Sequence, residues 1–495
     1  MRRCSCLALA GLILLCLPTL PAAAFEVIEA GPAPLISASA PIASAHGALV
    51  WGQEPCLTAA QREAIEADLA ASCAELTRRG LLPAPDRSRQ VSLGWPLRPV
   101  ASVTDPGVHG ISNFVDHDPT YPDHLRDWNC GARSYDLPEG YNHQGTDFFL
   151  WPFSWHLMDD SAVEIVAVAP GVIIQKYDGN YDRSCGFGGG NWNAVYVQHA
   201  DGSIAWYGHM KNGSTTTKAV GQPVAQGEYL GTVGSSGNST GPHLHLEMYD
   251  PQGHLLDPWD GSCNPLAGGS WWADQRPYYD SALNALRTHD APPEWQDCPM
   301  PTITHEQDRF APGDLVYFAS YYRDQLQGQQ SQHAIFKPDG TLWQSWTSAL
   351  DVPFYAASYW YWGWYLPAAG PEGYWTYRVV YEGQLVDHRF YVGTGTTAPD
   401  LASAGVVLHG VSPNPFNPTT TVAFSLATAG DVDLAVFDAR GRRVAGLVGG
   451  SLPAGGHRVL WDGLDEAGRP VRSGAYLVRL QTGGEVRWTR AMMVK

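Results

Sequence analysis

The stretch Gly241-Pro242-His243-Leu244-His245-Leu246-Glu247-Met248 decides the fold. From His243 it reads as a β-strand behind a Gly/Pro turn. Working outward, similar short runs recur at Val163–Ala169, Val172–Lys176, Ala194–His199, Ser203–Tyr207 and Tyr229–Val233, punctuated by Gly, Asn and Asp. They predict an antiparallel β domain over residues 95–290, inside a chain that is mainly β.

In a strand, residues i and i+2 share a face, with backbones roughly 6.6 Å apart. His243 and His245 can therefore address one small site. Upstream, His143 and Asp147 sit in Asn142-His143-Gln144-Gly145-Thr146-Asp147. In a straight strand they would be roughly 13 Å apart, so a turn must join them. Gly145 permits one, and Phe148-Phe149-Leu150 anchors it in the core. His209 closes Trp206-Tyr207-Gly208-His209. Imidazoles beside one carboxylate suit zinc, with a position left for water and imidazole left over for proton transfer. Taken singly, each motif has a plainer reading: polar strand positions, a turn aspartate, a surface histidine.

Taken in order, the segments H-x-G-x-D (143–147), Y-G-H (207–209) and G-x-x-G-x-S-T-G-P-H-L-H (234–245) resemble those of the lysostaphin/LytM-type zinc metallo-endopeptidases. The resemblance covers roughly residues 140–250. It implies that His143, Asp147 and His245 bind one zinc ion per chain. It also implies that His209 and His243 are the catalytic histidines, and that the substrate is a bacterial peptidoglycan cross-link or another peptide. Glu247 shares a strand face with His245 and is a candidate outer partner. The pattern departs at Met210 and Leu246, both apolar exchanges. The insertion Tyr177–Asn193 is a candidate cleft wall. Some relatives block the metal with an N-terminal segment, so Asn113, His117 and Asp118 are candidates for that role. His199 and His254 read as turn or surface residues.

At 495 residues the chain implies two to four domains. Its 31 basic against 49 acidic residues give −18, a poor balance for nucleic-acid binding. Residues 1–24 read as a secretory signal: Arg2-Arg3, an apolar run Leu7–Leu20 too short to span a bilayer, and Ala22-Ala23-Ala24 before Phe25. A lipoprotein anchor at Cys16 is disfavoured by bulky Leu15. Six cysteines then remain, which in an exported chain favours three disulfides. Sequential pairing (Cys56–Cys73, Cys130–Cys185, Cys263–Cys298) is the expectation. Residues 25–94 form a lead-in with one helix, Thr58 to Arg79. Thr58 and Gln61 fit a capping box, and Ile65, Leu69, Cys73 and Leu76 share a face. A docking helix or a pro-segment fits this pattern.

Aromatics alternating with polar residues over 300–393 suggest a β-sandwich. Tyr359-Trp360-Tyr361-Trp362-Gly363-Trp364-Tyr365 reads as sheet-face packing before a ligand platform. Residues 394–404 form a linker. Over 405–495, Ser412-Pro413-Asn414-Pro415-Phe416, Val436-Phe437-Asp438, Trp461-Asp462-Gly463 and Ser473-Gly474-Ala475-Tyr476 resemble FlgD-type immunoglobulin-like domains, similar to type IX sorting tails. That implies export machinery as a partner and a secreted or cell-surface location in a Gram-negative-type bacterium. Asp462, Asp465 and Glu466 read as turn formers. Two other classes compete. A catalytically inactive peptidoglycan-binding or hydrolase-regulating protein of the same fold predicts a lost ligand, yet all five positions are intact. A cupin-type oxygenase also uses H-x-H, but Glu247 follows His245 too closely.

Overall fold

A computed structural model describes residues 36–40, 55–86, 90–394 apart from 187, 189, 296, 297, 299 and 301, and most of 406–494 apart from 413–415, 427–428, 439–441, 454 and 483–484. The expected signal (1–24), most of the lead-in before residue 55, and all of the linker after residue 394 lie outside the described residues. So does part of the Ser412–Phe416 motif. The chain is mostly β, in antiparallel sheets. Among the described residues no helix is long and apolar enough to cross a membrane.

The site-bearing sheet runs in the order Pro223–Val224, Gly171–Tyr177, Ala194–His199, Ile204–Gly208, His243–Tyr249, Thr146–Leu150, His109–Asn113. The strand read first is thus central. It pairs Gly208 with His245 on one side and Asp147 with His245 on the other. A smaller sheet, Tyr229–Thr232, Val163–Val166 and Leu97–Pro99, packs across it. Val163, Ile165, Val197, Tyr207, Leu244 and Leu246 are buried between them. A six-residue helix, Ser154–Asp159, was not foreseen; one turn and a half is too short to leave a periodic signature.

The helix Ala59–Arg78 has both halves of the Thr58/Gln61 capping box. Gly80 ends it at φ +69°, the left-handed region that glycine enters freely. Ile65, Leu69 and Leu76 bury against Ile174, Tyr196 and Trp206 on the outer face of the site sheet. Cys73 on the same face is half-buried.

The cysteine pairing differs from expectation. The disulfides are Cys130–Cys263 and Cys185–Cys298, while Cys56 and Cys73 are free thiols. The helix itself explains the failed pair. At 1.5 Å per residue it separates its two ends by roughly 20 Å or more, and a disulfide needs α-carbons within about 7 Å.

Ala282–His289 leaves the site-bearing part and pairs with Leu315–Leu326. With Phe354–Tyr365 and Ile36–Ala40 they form one four-stranded sheet. A five-stranded sheet, Arg309–Phe310, Gln384–Val392, Gly373–Tyr381, Gln330–Phe336 and Leu342–Ala349, faces it. Phe318, Tyr322 and Trp364 pack there against Trp375, Tyr377 and Phe390. From the aromatic run, Tyr359, Trp362 and Trp364 are buried in sheet packing. C-terminally, sheets of three and four strands enclose Phe424, Val436, Trp461 and Val478. Asp462 and Asp465 accept from backbone amides two to four residues on, which makes them turn formers. His199 is a correction: it is buried and its Nδ1 donates to Pro170 O at 3.0 Å.

Candidate metal centre

Register brings the motifs together. Opposite His245 stands Asp147, and the turn before it returns His143 to the same point. His245 Nδ1 lies 2.7 Å from Asp147 Oδ1, and His143 Nε2 lies 3.1 Å from Asp147 Oδ2. His143 Nδ1 binds Phe114 O at 2.8 Å, which leaves Nε2 for the site. Ligand atoms at about 2.0–2.1 Å from one tetrahedral zinc sit roughly 3.3 Å from each other. The trio His143, Asp147 and His245 matches that scale, and all three are buried.

Gly145 is needed by close approach. A β-carbon there would lie 2.7 Å from His245 Cε1 and 2.8 Å from Leu246 O. Both are held by the central strand and cannot yield. Gly145→Ala is expected to cost about 1–3 kcal/mol and to push the His245 ring out of line. Thermal unfolding checks it; an unchanged melting temperature would show that the turn has room.

His209 and His243 stand side by side, ring centroids 4.4 Å apart. Their Nδ1 atoms bind backbone carbonyls, Ser236 O at 2.6 Å and Gly241 O at 2.8 Å. Each ring is thereby oriented with Nε2 toward the site. His243 Nε2 is 3.7 Å from Asp147 Oδ1. His209 adopts φ +60°, a strained choice for a residue with a β-carbon. Gly208 before it leaves no space for a side chain: Trp192 would be 2.3 Å away.

Electrostatics differ sharply between the rings. At His143 burial opposes charge, but the Asp147 carboxylate prevails and lifts the imidazole to about 9. Asp147 is held well below the carboxylate range, because the two neighbouring histidines outweigh its burial. His243 is pushed down to about 4 by burial and then by His209, so it is neutral near pH 7.

Around these five lies a second layer. His245 Nε2 meets Glu247 Oε1 at 2.9 Å. Glu247 is fully buried and receives both arms of Arg62, at 2.7 and 2.8 Å, from the N-terminal helix. Tyr249 donates to it at 2.6 Å. Asn113 Nδ2 donates to Asp147 Oδ2 at 3.0 Å. His117 instead pairs with Asp257 at 2.8 Å, and Asp118 is taken up by a turn with Thr120. The insertion lies against the glycine-rich turn: Ser184 N donates to Ser235 O at 2.9 Å, and Gly188 N to Asn238 Oδ1 at 2.8 Å.

Cys56 was missed as a site residue. Its sulfur is 4.0 Å from His245 Nδ1 and 3.1 Å from the Tyr135 hydroxyl. Cys56, His209 and His245 form a second group able to hold a metal ion. The even cysteine count had pointed it toward a disulfide.

Residues 142–258 match Peptidase family M23, and residues 412–485 match the FlgD Ig-like domain. The chain thus carries a peptidase M23 domain of the LytM type and a FlgD Ig-like domain. The chain is 49% identical over 59 residues to the DD-carboxypeptidase/endopeptidase Mpg of Neisseria meningitidis, covering 12% of this chain and 13% of that protein. It is 41% identical over 58 residues to the peptidoglycan DD-endopeptidase ShyC of Vibrio cholerae, with the same two shares. The chain therefore spans about an eighth of the length of these relatives. Among solved structures, the catalytic domain of the prophage-encoded M23 protein EnpA from Enterococcus faecalis, as an A109H mutant, is similar. It is 24% identical, with 30% of this chain and 88% of that one covered and a TM-score of 0.20.

Proposed function

We propose that this chain is a secreted zinc-dependent endopeptidase that hydrolyses peptide cross-links in bacterial peptidoglycan. The observation that carries the reading is the convergence of His143, Asp147 and His245 on one point, with Nε2 of His209 and His243 facing it. The donor set fits zinc: two imidazole nitrogens and one carboxylate oxygen, all buried, with Asp147 kept ionised. Glu247 accepts from His245 Nε2 and fixes which nitrogen is free. When bound, zinc supplies Lewis-acid polarisation of a carbonyl and acidifies water to a pKa of about 7. One of His209 and His243 takes the proton of the attacking water. The other hydrogen-bonds the oxyanion that forms at the scissile carbonyl, or returns a proton to the leaving amine. The name of the Vibrio cholerae relative, a peptidoglycan DD-endopeptidase, supports peptidoglycan as the substrate.

The purified chain is expected to hold one zinc ion and to release new amine ends from peptidoglycan, identified by mass spectrometry. Full hydrolytic activity in a metal-free protein would overturn this mechanism.

In the same reading, residues 95–290 are the catalytic unit and 300–393 an accessory sandwich. Residues 405–495 address the exported chain to the surface of a Gram-negative-type bacterium. A truncate ending near residue 405 should stay as active as the full chain yet mislocalise. Normal localisation of that truncate removes the sorting role.

A further inference from the structure

Two buried nitrogens of the site make no hydrogen bond among the described residues, and of these His143 Nε2 lies beside the Asp147 carboxylate. The other, His209 Nε2, is fully buried. It faces a group whose third member comes from outside the peptidase motifs. The ligand atoms of Cys56, His209 and His245 all lie within 4.8 Å of one another. Cys56 is 5% exposed, although it sits beside a site whose chemistry requires water. Sulfur and nitrogen on one tetrahedral zinc, at about 2.3 and 2.05 Å, stand roughly 3.6 Å apart. The Cys56 Sγ to His245 Nδ1 distance of 4.0 Å is close to that edge.

The thiol is delivered by a docked segment. Directly before it, Pro55 O accepts from Asn238 Nδ2 at 2.9 Å, in the glycine-rich turn that precedes His243. Directly after it, Leu57 is buried, and the capped helix Ala59–Arg78 begins two residues on. Gln61 Nε2 reaches Gly190 O at 2.9 Å, tying the helix start to the insertion. Arg62 grips Glu247 and lies over Trp206, its guanidinium carbon 5.4 Å from the ring centre. Ser72 donates to Ile174 O, and the Tyr177 hydroxyl to Asp68 at 2.7 Å. Leu69 and Leu76 complete the apolar seam.

We propose that Cys56 is a fourth ligand to the site's metal, and that residues 55–82 are a built-in plug which keeps the chain latent. The proposal rests on the zinc reading above. Three protein ligands leave zinc an open position for water; a fourth closes the tetrahedron, the arrangement of structural sites. On coordination the Cys56 thiol gives its proton to solvent and its sulfur electron pair to the metal. On departure of the segment, water fills the vacated position and the thiolate is reprotonated. No oxidant or reductant takes part. The same helix also holds Glu247, so loss of the plug frees the active site and changes the charge beside His245 in one event.

The test uses the full chain with both disulfides intact and cobalt(II) in place of zinc. Wild type and Cys73→Ser are expected to bind one cobalt and to show sulfur-to-metal charge-transfer absorption. Cys56→Ser and Cys56→Ala should bind one cobalt without that band. With zinc, both should hydrolyse peptidoglycan on the order of tenfold faster or more, the gain expected when fewer than about one molecule in ten is open beforehand. A second measurement does not depend on the variants folding. In wild type, iodoacetamide should label Cys73 with metal present but reach Cys56 only after the metal is stripped. Cobalt bound without the sulfur band, a band that survives in Cys56→Ser, or equal labelling of Cys56 with and without metal would each overturn the plug. Failure of wild type to bind cobalt at all would overturn the zinc reading, and the plug with it.

Discussion

Replacing His245 by Ala is expected to abolish metal binding and hydrolysis together. Both ring nitrogens of His245 are engaged in the site. Its Nδ1 faces Asp147 and Cys56, and its Nε2 faces Glu247. Its backbone is paired with both Gly208 and Asp147, so the two remaining motifs are positioned against it. Removing an outer-sphere partner of a metal ligand costs roughly 10–100-fold in affinity. Removing the ligand itself must exceed that, since it deletes a donor as well as an orientation. The Ala variant should therefore come off purification free of zinc and release no new amine ends. Metal content by elemental analysis and digestion of purified peptidoglycan check both halves. An Ala variant that keeps a full zinc complement would place the metal elsewhere.

The second large effect is expected from Glu247→Leu. Burial raises the cost of the Glu247 charge, but Arg62 outweighs it and keeps the carboxyl well below its ordinary range. Leucine removes the acceptor from His245 Nε2, so metal affinity should fall by about 10–100-fold. It also strands Arg62, whose side chain is only 14% exposed. Breaking a buried pair from one side costs about 3–5 kcal/mol, and residual contact with water places Arg62 near the lower figure. The two losses have different causes and separate in a double variant. Arg62→Leu with Glu247→Leu should recover most of the stability and none of the metal affinity. Thermal unfolding and a metal-competition titration read the two quantities independently. Recovery of both together would show that Glu247 acts on the helix alone.

Local signals were legible where short-range chemistry decides. The Thr58/Gln61 box and the shared face of Ile65, Leu69 and Leu76 define a helix within a few turns of chain. His243 and His245 must share a face wherever the strand runs. The Asp147–His245 pairing was not legible, because it depends on register between strands 98 residues apart. Arg62 was still further out of reach: it meets Glu247 across 185 residues, and nothing in its own segment distinguishes it from a surface arginine. Cys56 was hidden by counting. An even number of cysteines made a disulfide the economical reading, whereas the helix that follows Cys56 carries Cys73 out of its reach. Ala282–His289 shows the same limit, since a strand does not record which sheet it will join.

The Cys130–Cys263 bond has a consequence for a chain that is cut. All five histidine and aspartate positions, from His143 to His245, lie between its two ends. The part of the chain that bears these five residues is therefore a covalent ring. A cut by another protease in any surface loop between 131 and 262 opens that ring but releases no fragment, and the severed halves stay tied within reach of re-docking. A chain built this way can be nicked once and still keep all five of those residues on one molecule.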